Sequence, residues 1–344
     1  MKTSIIHLPL AVAALATLAS AQPWNLRTPA TSPPPQGYQQ SLAYNCGMFR
    51  TVMYGGRPTT GVVFVTWVFD GNDWASLGPA NDPGPKWGHR LVYDWARNRV
   101  ILFGGRDGGT TAQNETWAWN GQDWTQIQTA NAPSPRAWHQ MAYDVRRDKI
   151  VVFGGFAVLD NNTWEFDGTD WTAVTTANRP PVVGDGEMVY DESRGVCVLF
   201  GGWDGRAGVY AGTWEFDGID WRQVSTNSAP SGRTWHQMSY DRRRAHVVLH
   251  GGYNGGGVQT DTWTYDGTDW TDHTSNVTGA PPAVPVQGGM SYDIARAVHV
   301  FFGGSGPGGR SGDTNEFSSL AYASYSKAGA GCSGSAGVPV LEAV

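Results

Sequence analysis

The sequence is short of cysteine, with three residues at positions 46, 197 and 332 of 344. Their spacing matches no zinc motif, and an odd number leaves no complete set of disulfides. Cys46 and Cys197 lie in the strand-like runs "SLAYNCGM" and "GVCVLF", so both are expected to be buried and chemically inert. The chain also lacks a basic block. Its formal net charge is −6, which argues against nucleic acid as a partner. Long apolar runs are missing beyond the N-terminus, so no membrane span is expected. There is no long stretch of helical periodicity, no Gly-x-Ser-x-Gly elbow, no P-loop and no dinucleotide fingerprint. No cofactor or metal is therefore expected. "LDNN" and "WDGR" offer oxygens to Ca²⁺ but lack the spacing of a calcium loop.

The one apolar run opens the chain. "MKTSIIHLPLAVAALATLASA" has a lysine, an apolar stretch and Ala19-Ser20-Ala21. That order is the n-region, h-region and cleavage site of a secretory signal peptide. Residues 1–21 are read as a leader, which places the protein outside the cell. Sequons at Asn114, Asn161 and Asn276 matter only in a glycosylating host.

Glycine and tryptophan are plentiful, with 46 and 17 residues, and they are periodic. "TWVFDGNDW", "TWAWNGQDW", "TWEFDGTDW", "TWEFDGIDW" and "TWTYDGTDW" begin at Thr66, Thr116, Thr163, Thr213 and Thr262. Each is preceded by a run ending in a glycine pair. These pairs begin at Gly55, Gly104, Gly154, Gly201, Gly251 and Gly303, in steps of 49, 50, 47, 50 and 52. Earlier still in each unit stands a phrase of the "HQMAYD" type. Each unit thus holds four strand-like runs, with Asp-Gly as a hairpin signal between the last two. Four-stranded antiparallel units at this period predict an all-β fold, a six-bladed β-propeller. The tryptophans are expected between blades, Trp164 among them.

The last unit reads "DTNEF" and has no "DG.DW" of its own. The segment from Gln22, "QPWNLRTPATSPPPQGYQQSLAYN", matches "QDWTQIQTANAPSPRAWHQMAYD" with one residue inserted. Trp24 is therefore expected on a fourth strand that completes the last blade and closes the ring, which removes open edges. The propeller is assigned to residues 22–319, and 320–344 to a Gly/Ser-rich tail or linker.

The glycine pairs, the "TW.(F/Y)DG.DW" phrase and the "PR..H" approach to the first strand resemble the kelch-repeat propellers, a superfamily that includes galactose-oxidase-like folds. The resemblance implies the fold and little about function. The copper site of the galactose-oxidase-like members, with its tyrosines, histidines and Cys–Tyr link, has no residue-by-residue counterpart here.

Alternating strand direction places the Asp-Gly turns on one face, with the arginine-rich turns "YDVRRDK" and its equivalents. The loops around the glycine pairs and the "PR..H" segments share the other face. That second face varies between units, and variable loops over a rigid frame tend to carry function. Its candidate ligand-binding residues are Arg136, Trp138, Arg233, Trp235, Trp87, His89, Arg90 and Asp185; it also holds Arg57, Arg106, Arg179, Arg206 and Arg310. Arginine and tryptophan together suit an anionic polysaccharide. Units four and six lack both Arg and His in this segment, and Glu187 stands where Gln140 and Gln237 stand in its neighbours. Glu187, His139 and His236 are the catalytic candidates, as a His–carboxylate–His set. The bland alternative is that the histidines buttress the blade tops. The expected function is an extracellular binding module for a glycan or a protein. The alternatives are a polysaccharide lyase or hydrolase with a central pocket, and a structural or adhesion element of a surface assembly.

Overall fold

The computed structural model describes residues 22–33, 39–57, 64–157, 160–206, 208–279, 281–283, 285–306 and 309–318. The expected leader, the tail and Cys332 lie outside the described residues. Strands alternate in pairs and return on themselves, so each unit is an antiparallel meander. Blade 1 is Ser41–Asn45, Arg50–Tyr54, Thr66–Phe69 and Trp74–Leu77, from the axis outwards. Blades 2 to 5 repeat this order, starting from Arg90–Asp94, Gln140–Asp144, Glu187–Asp191 and Gln237–Asp241. The innermost strands adjoin one another around the axis, and the ring closes between blades 6 and 1.

Blade 6 takes Gly289–Asp293, Val298–Phe302 and Thr314–Phe317 from the C-terminal end and Gln22–Arg27 from the N-terminal end. Trp24 pairs with Phe317 and Arg27 with Thr314, antiparallel. The expected closure is therefore present. The structure adds a fifth strand, Val277–Gly279, which lies parallel to Gln22–Trp24 on its outer side. The N-terminal strand is thus held along both edges.

The second tryptophan of each phrase makes the seam. Trp24, Trp74, Trp124, Trp171, Trp221 and Trp270 are all fully buried. Each indole N–H donates to the threonine that opens the phrase in the preceding blade. Trp171 donates to Thr116 at 2.9 Å, Trp74 to Thr314 at 2.9 Å and Trp24 to Thr262 at 3.4 Å. Trp124, Trp221 and Trp270 reach Thr66, Thr163 and Thr213 in the same way. The first tryptophan of the phrase behaves differently. Trp164 is only half-buried, and its indole N–H has no partner.

The Asp-Gly turn is also longer than a two-residue hairpin. Phe166 pairs with Trp171, which leaves four residues in the loop. Only Gly168 has positive φ, at 97°. Asp167 instead shapes the turn with its side chain, accepting from the N–H groups of Thr169 and Asp170 at 2.8 and 2.9 Å. This is an Asx turn, in which carboxylate acceptance replaces a second left-handed residue.

Cys197 is free and buried, as expected. Cys46 is buried too, but it is disulfide-bonded rather than a free thiol, to a partner outside the described residues. The arginine-rich turns are paired as the sequence suggests: Arg147 with Asp144 and Glu165, Arg242 with Glu192.

Candidate functional site

At the other face, one residue from each blade turns into the left-handed region just before the innermost strand. These are Gln39 (φ 69°), Gly88 (67°), Trp138 (58°), Asp185 (56°), Trp235 (60°) and Gln287 (60°). The N–H of each donates to the carbonyl of its counterpart in the preceding blade. Gly88 donates to Gln39 at 3.1 Å, Trp138 to Gly88 at 2.7 Å and Asp185 to Trp138 at 2.9 Å. Trp235 to Asp185, Gln287 to Trp235 and Gln39 to Gln287 complete the circle at 3.0 Å each. A closed ring of six backbone hydrogen bonds therefore surrounds the axis. Five of its members are not glycine, and each such residue costs roughly 1 kcal/mol in this conformation. Backbone strain of this kind gathers at functional sites.

Beneath the ring is a small pit. Its walls include Trp138, Asp185, Trp235 and Gln287. Its floor is Gln40, Arg90, Glu187 and Gln237, which also border the axial channel below, a cavity of about 200 Å³. Arg90 spans from blade 2 to blade 4 and meets Glu187 at 2.8 Å. It also donates to the carbonyls of His139 and Gly186, at 2.9 and 3.1 Å. Gln237 touches Glu187 at 3.5 Å. The pit is thus closed at its base by a salt bridge.

Two carboxyls in this pit titrate far from their usual range. Burial pushes Asp185 up to about 7, with nearby Trp235 and Arg90 pulling the other way and Glu187 adding to the rise. Burial pushes Glu187 up to about 7 as well, against the attraction of Arg90.

Around the pit runs an aromatic rim. Trp87 meets Trp138 edge-on at 5.3 Å, Trp138 meets Phe156 at 5.8 Å, and Phe156 meets Trp203 at 5.6 Å. On the far side Trp235 lies 5.9 Å from Tyr253. Two guanidiniums stack on these rings. Arg57 lies 4.7 Å over Trp87, and Arg106 lies 4.6 Å over Trp138 and 5.6 Å from Trp87. Neither arginine has an acidic partner among the described residues, and Arg106 Nε is buried without an acceptor.

The sequence candidates divide in two. Trp87, Trp138, Trp235, Arg90, Asp185 and Glu187 come together at the mouth. Arg136 and Arg233 do not. Both are fully buried inside their own blades. Every N–H of Arg136 is used by Ser134, the Gly154 carbonyl and Asp160. Arg233 is held identically by Ser231, the Gly251 carbonyl and Asp261. The histidines sit in the seams. His89, His139 and His236 pack edge-on against Tyr54, Phe103 and Phe200 of the preceding blade, at 5.9, 5.2 and 5.7 Å. Each presses on the first glycine of that blade's pair, where an added Cβ would lie 2.9, 3.0 or 2.8 Å from the imidazole carbon. Burial holds His89 down to about 3 and the other two well below the usual histidine range. The hydrogen-bonding partners of Glu187 among the described residues are Arg90 and Gln237, and not these imidazoles. The buttress is the role the packing shows for them. Among the described residues no group of three His, Cys, Asp or Glu side chains is placed to hold a metal ion.

Sequence reasoning missed the backbone ring, since only Gly88 among its members is a glycine. It also passed over a signal for the buried arginines. Lys86, Arg136 and Arg233 each have an acid shortly before the next "TW": Glu115, Asp160 and Asp261. Where the base is lost, in blade 4 at Val183, Gly212 replaces the acid. The match is not strict, since blade 6 keeps Asp313 before Thr314 although Pro285 stands in the base's place.

No protein-family model matches the chain, and no curated protein matches its sequence.

Proposed function

We infer that the protein is an exported, kelch-type binding module that takes an acidic glycan at the ring-lined mouth. The observation that carries this is the pair of guanidiniums, Arg57 and Arg106, stacked on Trp87 and Trp138 and lacking acidic partners among the described residues. Stacking fixes an arginine's plane and leaves its N–H edge for a carboxylate or sulfate, which it binds in bidentate fashion. Neighbouring half-buried aromatics offer flat faces to the C–H side of a sugar ring. The carboxyls of the mouth do not oppose an anion near neutrality, since Glu187 is matched by Arg90 and burial favours the protonated form of Asp185. Export rests on the leader-like residues 1–21 and on the oxidised state of Cys46, because disulfides persist outside the reducing cytosol. The kelch assignment rests on the repeat phrases.

Titration with uronate oligosaccharides tests the reading. Binding is expected to weaken with added salt, and Arg106→Gln to lower affinity about tenfold, the scale of a charge-assisted hydrogen bond. Absence of binding at low salt, or affinity indifferent to both Arg106→Gln and Arg57→Gln, would sink it. A carbohydrate-active enzyme is the second reading. It is favoured by two adjacent carboxyls poised near pH 7, the range suited to general acid–base work. Chain shortening that stops in Glu187→Gln would select it.

A further inference from the structure

Cys46 is bonded and Cys197 is a free thiol inside blade 4. The chain has one further cysteine, Cys332. Within a single chain, that leaves one partner for Cys46.

Cys46 sits where the arginine-rich turns meet the axis, on the face opposite the mouth. It directly follows the innermost strand of blade 1, and its counterparts in blades 2 to 6 are Trp95, Val145, Glu192, Arg242 and Ile294. All five counterparts are half-buried, whereas Cys46 is 1% exposed. The turn itself is not sunk into the fold, because the next residue, Gly47, is exposed. This sulfur therefore has a cover that the other turns lack. Met48, Trp95 and Ile294 pack against the same core cluster as Cys46 and are only partly buried, so an apolar shelf surrounds it. The charged part of the axial opening is already engaged. Arg242 of blade 5 stacks 4.6 Å over Trp95 of blade 2 and is held by Glu192 at 2.6 Å.

The chain leaves blade 6 on this face. Thr314 pairs with Phe302, beside the glycine pair, while Phe317 pairs with His299, beside the turn that follows Asp293. Ser318 therefore emerges among the arginine-rich turns. The innermost strands of blades 6 and 1 adjoin each other. From Phe317 to Cys46 is two strand spacings inward and one seam across, about 20 Å in all. Residues 319–332 reach about 45 Å when extended, so the bond forms without moving a blade.

We propose that Cys46 is bonded to Cys332, and that residues 319–332 dock on the apolar shelf around Cys46 as a covalent second latch on the seam between blades 6 and 1. The N-terminal strand closes blade 6 along its outer edge, and this bond ties the end of that blade to the inner edge of blade 1. Its formation joins the two Sγ atoms. Two protons and two electrons pass to the disulfide of a thiol oxidant, which leaves as a dithiol. The cross-linked loop runs from blade 1 to beyond blade 6, so it constrains nearly the whole unfolded chain, and long loops gain most from closure. Residues after Cys332 then start from the face opposite the aromatic rim.

Tryptic digestion of the full chain, alkylated in denaturant without reduction, tests the bond. Residues 28–50 carry Cys46 and residues 328–344 carry Cys332, and the two are expected as one linked species. Alkylated Cys46, or a covalent dimer on a non-reducing gel, would overturn the proposal. Melting curves test the latch. Reductant is expected to lower the wild-type midpoint by about 5–10 °C and to leave Cys332→Ser, already at the lower value, unmoved. Equal midpoints for wild type and Cys332→Ser without reductant would show that the bond does not hold the seam. Hydrogen exchange tests the docking. Amides of residues 46–49 and 294–297 are expected to exchange about tenfold faster in Cys332→Ser, and unchanged exchange there would remove the docked segment.

Discussion

Asp185 stands in the ring between Trp138 and Trp235, buried and left-handed. Its carboxyl holds a proton up to about 7, while an unfolded aspartate releases it near 3.9. Between those values the folded state binds the extra proton, so this residue lowers stability as pH rises from about 4 to about 7. Buried histidines act in the opposite sense. His89 and His250 are held to about 3 and stay neutral in the fold, so they destabilise it as pH falls below about 6.5. A melting curve of the wild type alone mixes the two. The comparison with Asp185→Asn separates them, and asparagine tolerates the same backbone region. At pH 8 the variant is expected to melt roughly 5 °C above the wild type, and at pH 4 to coincide with it. Equal melting points at pH 8 would show that burial does not raise the carboxyl above its ordinary range. The same titration governs binding. A uronate stays ionised throughout, so affinity should fall from pH 6 to pH 8 in the wild type as Asp185 gains charge, and the fall should be shallower in Asp185→Asn.

At the scale of the blade, the repeated phrase separates into parts with different duties. Trp171 is fully buried between blades 3 and 2, against Phe166 at 5.0 Å and Phe103 at 4.5 Å, and it donates to Thr116. Trp164, seven residues earlier, is half-buried with an idle indole N–H. Trp171→Ala is expected to cost about 3–5 kcal/mol in denaturant unfolding, and Thr116→Val about 1–2 kcal/mol for the stranded donor. Trp164→Ala should cost less than Trp171→Ala; the reverse order would contradict the assignment of the seam. Periodicity made the phrase legible as a seam element, because five copies at one spacing admit few architectures. It did not say which tryptophan, since both alternate with polar residues in strands of equal length. The same limit applies to the site. Trp138, Trp235, Asp185, Glu187 and Arg90 were readable as a group because they fall at two repeat positions, that of Arg90 and Glu187 and that of Trp138, Asp185 and Trp235, and a ring brings equivalent positions together. Arg136 and Arg233 share the second position's neighbourhood but point into the blade. Residues two apart on an extended segment would share a face, but the left-handed turn at Trp138 and Trp235 breaks that alternation, and composition is silent about it. The partner acids Asp160 and Asp261 were the local clue.

The whole molecule depends on one strand that is distant in sequence from everything it touches. Trp24 pairs with Phe317, stacks beside it at 5.0 Å and donates to Thr262 in blade 5. Gly279 lies so close to its carbonyl that a Cβ there would sit 2.0 Å away. Removing residues 22–27 would leave Thr314–Phe317 as an unpaired edge, with Val277–Gly279 deprived of its partner. An open, apolar edge recruits strands from other chains. The truncated protein is expected to elute as soluble oligomers or aggregate, and to lose the single cooperative transition of a closed wheel. Simple failure to fold is distinguished by supplying the strand separately. A peptide spanning residues 22–33 should restore monomeric elution and the cooperative transition, because the slot it fills is built from both flanking edges. The same peptide with Trp24→Ala should restore neither, since it lacks the indole that enters the seam. A truncated chain that stays monomeric and melts as the full one does would show that the other five blades hold the ring without a latch.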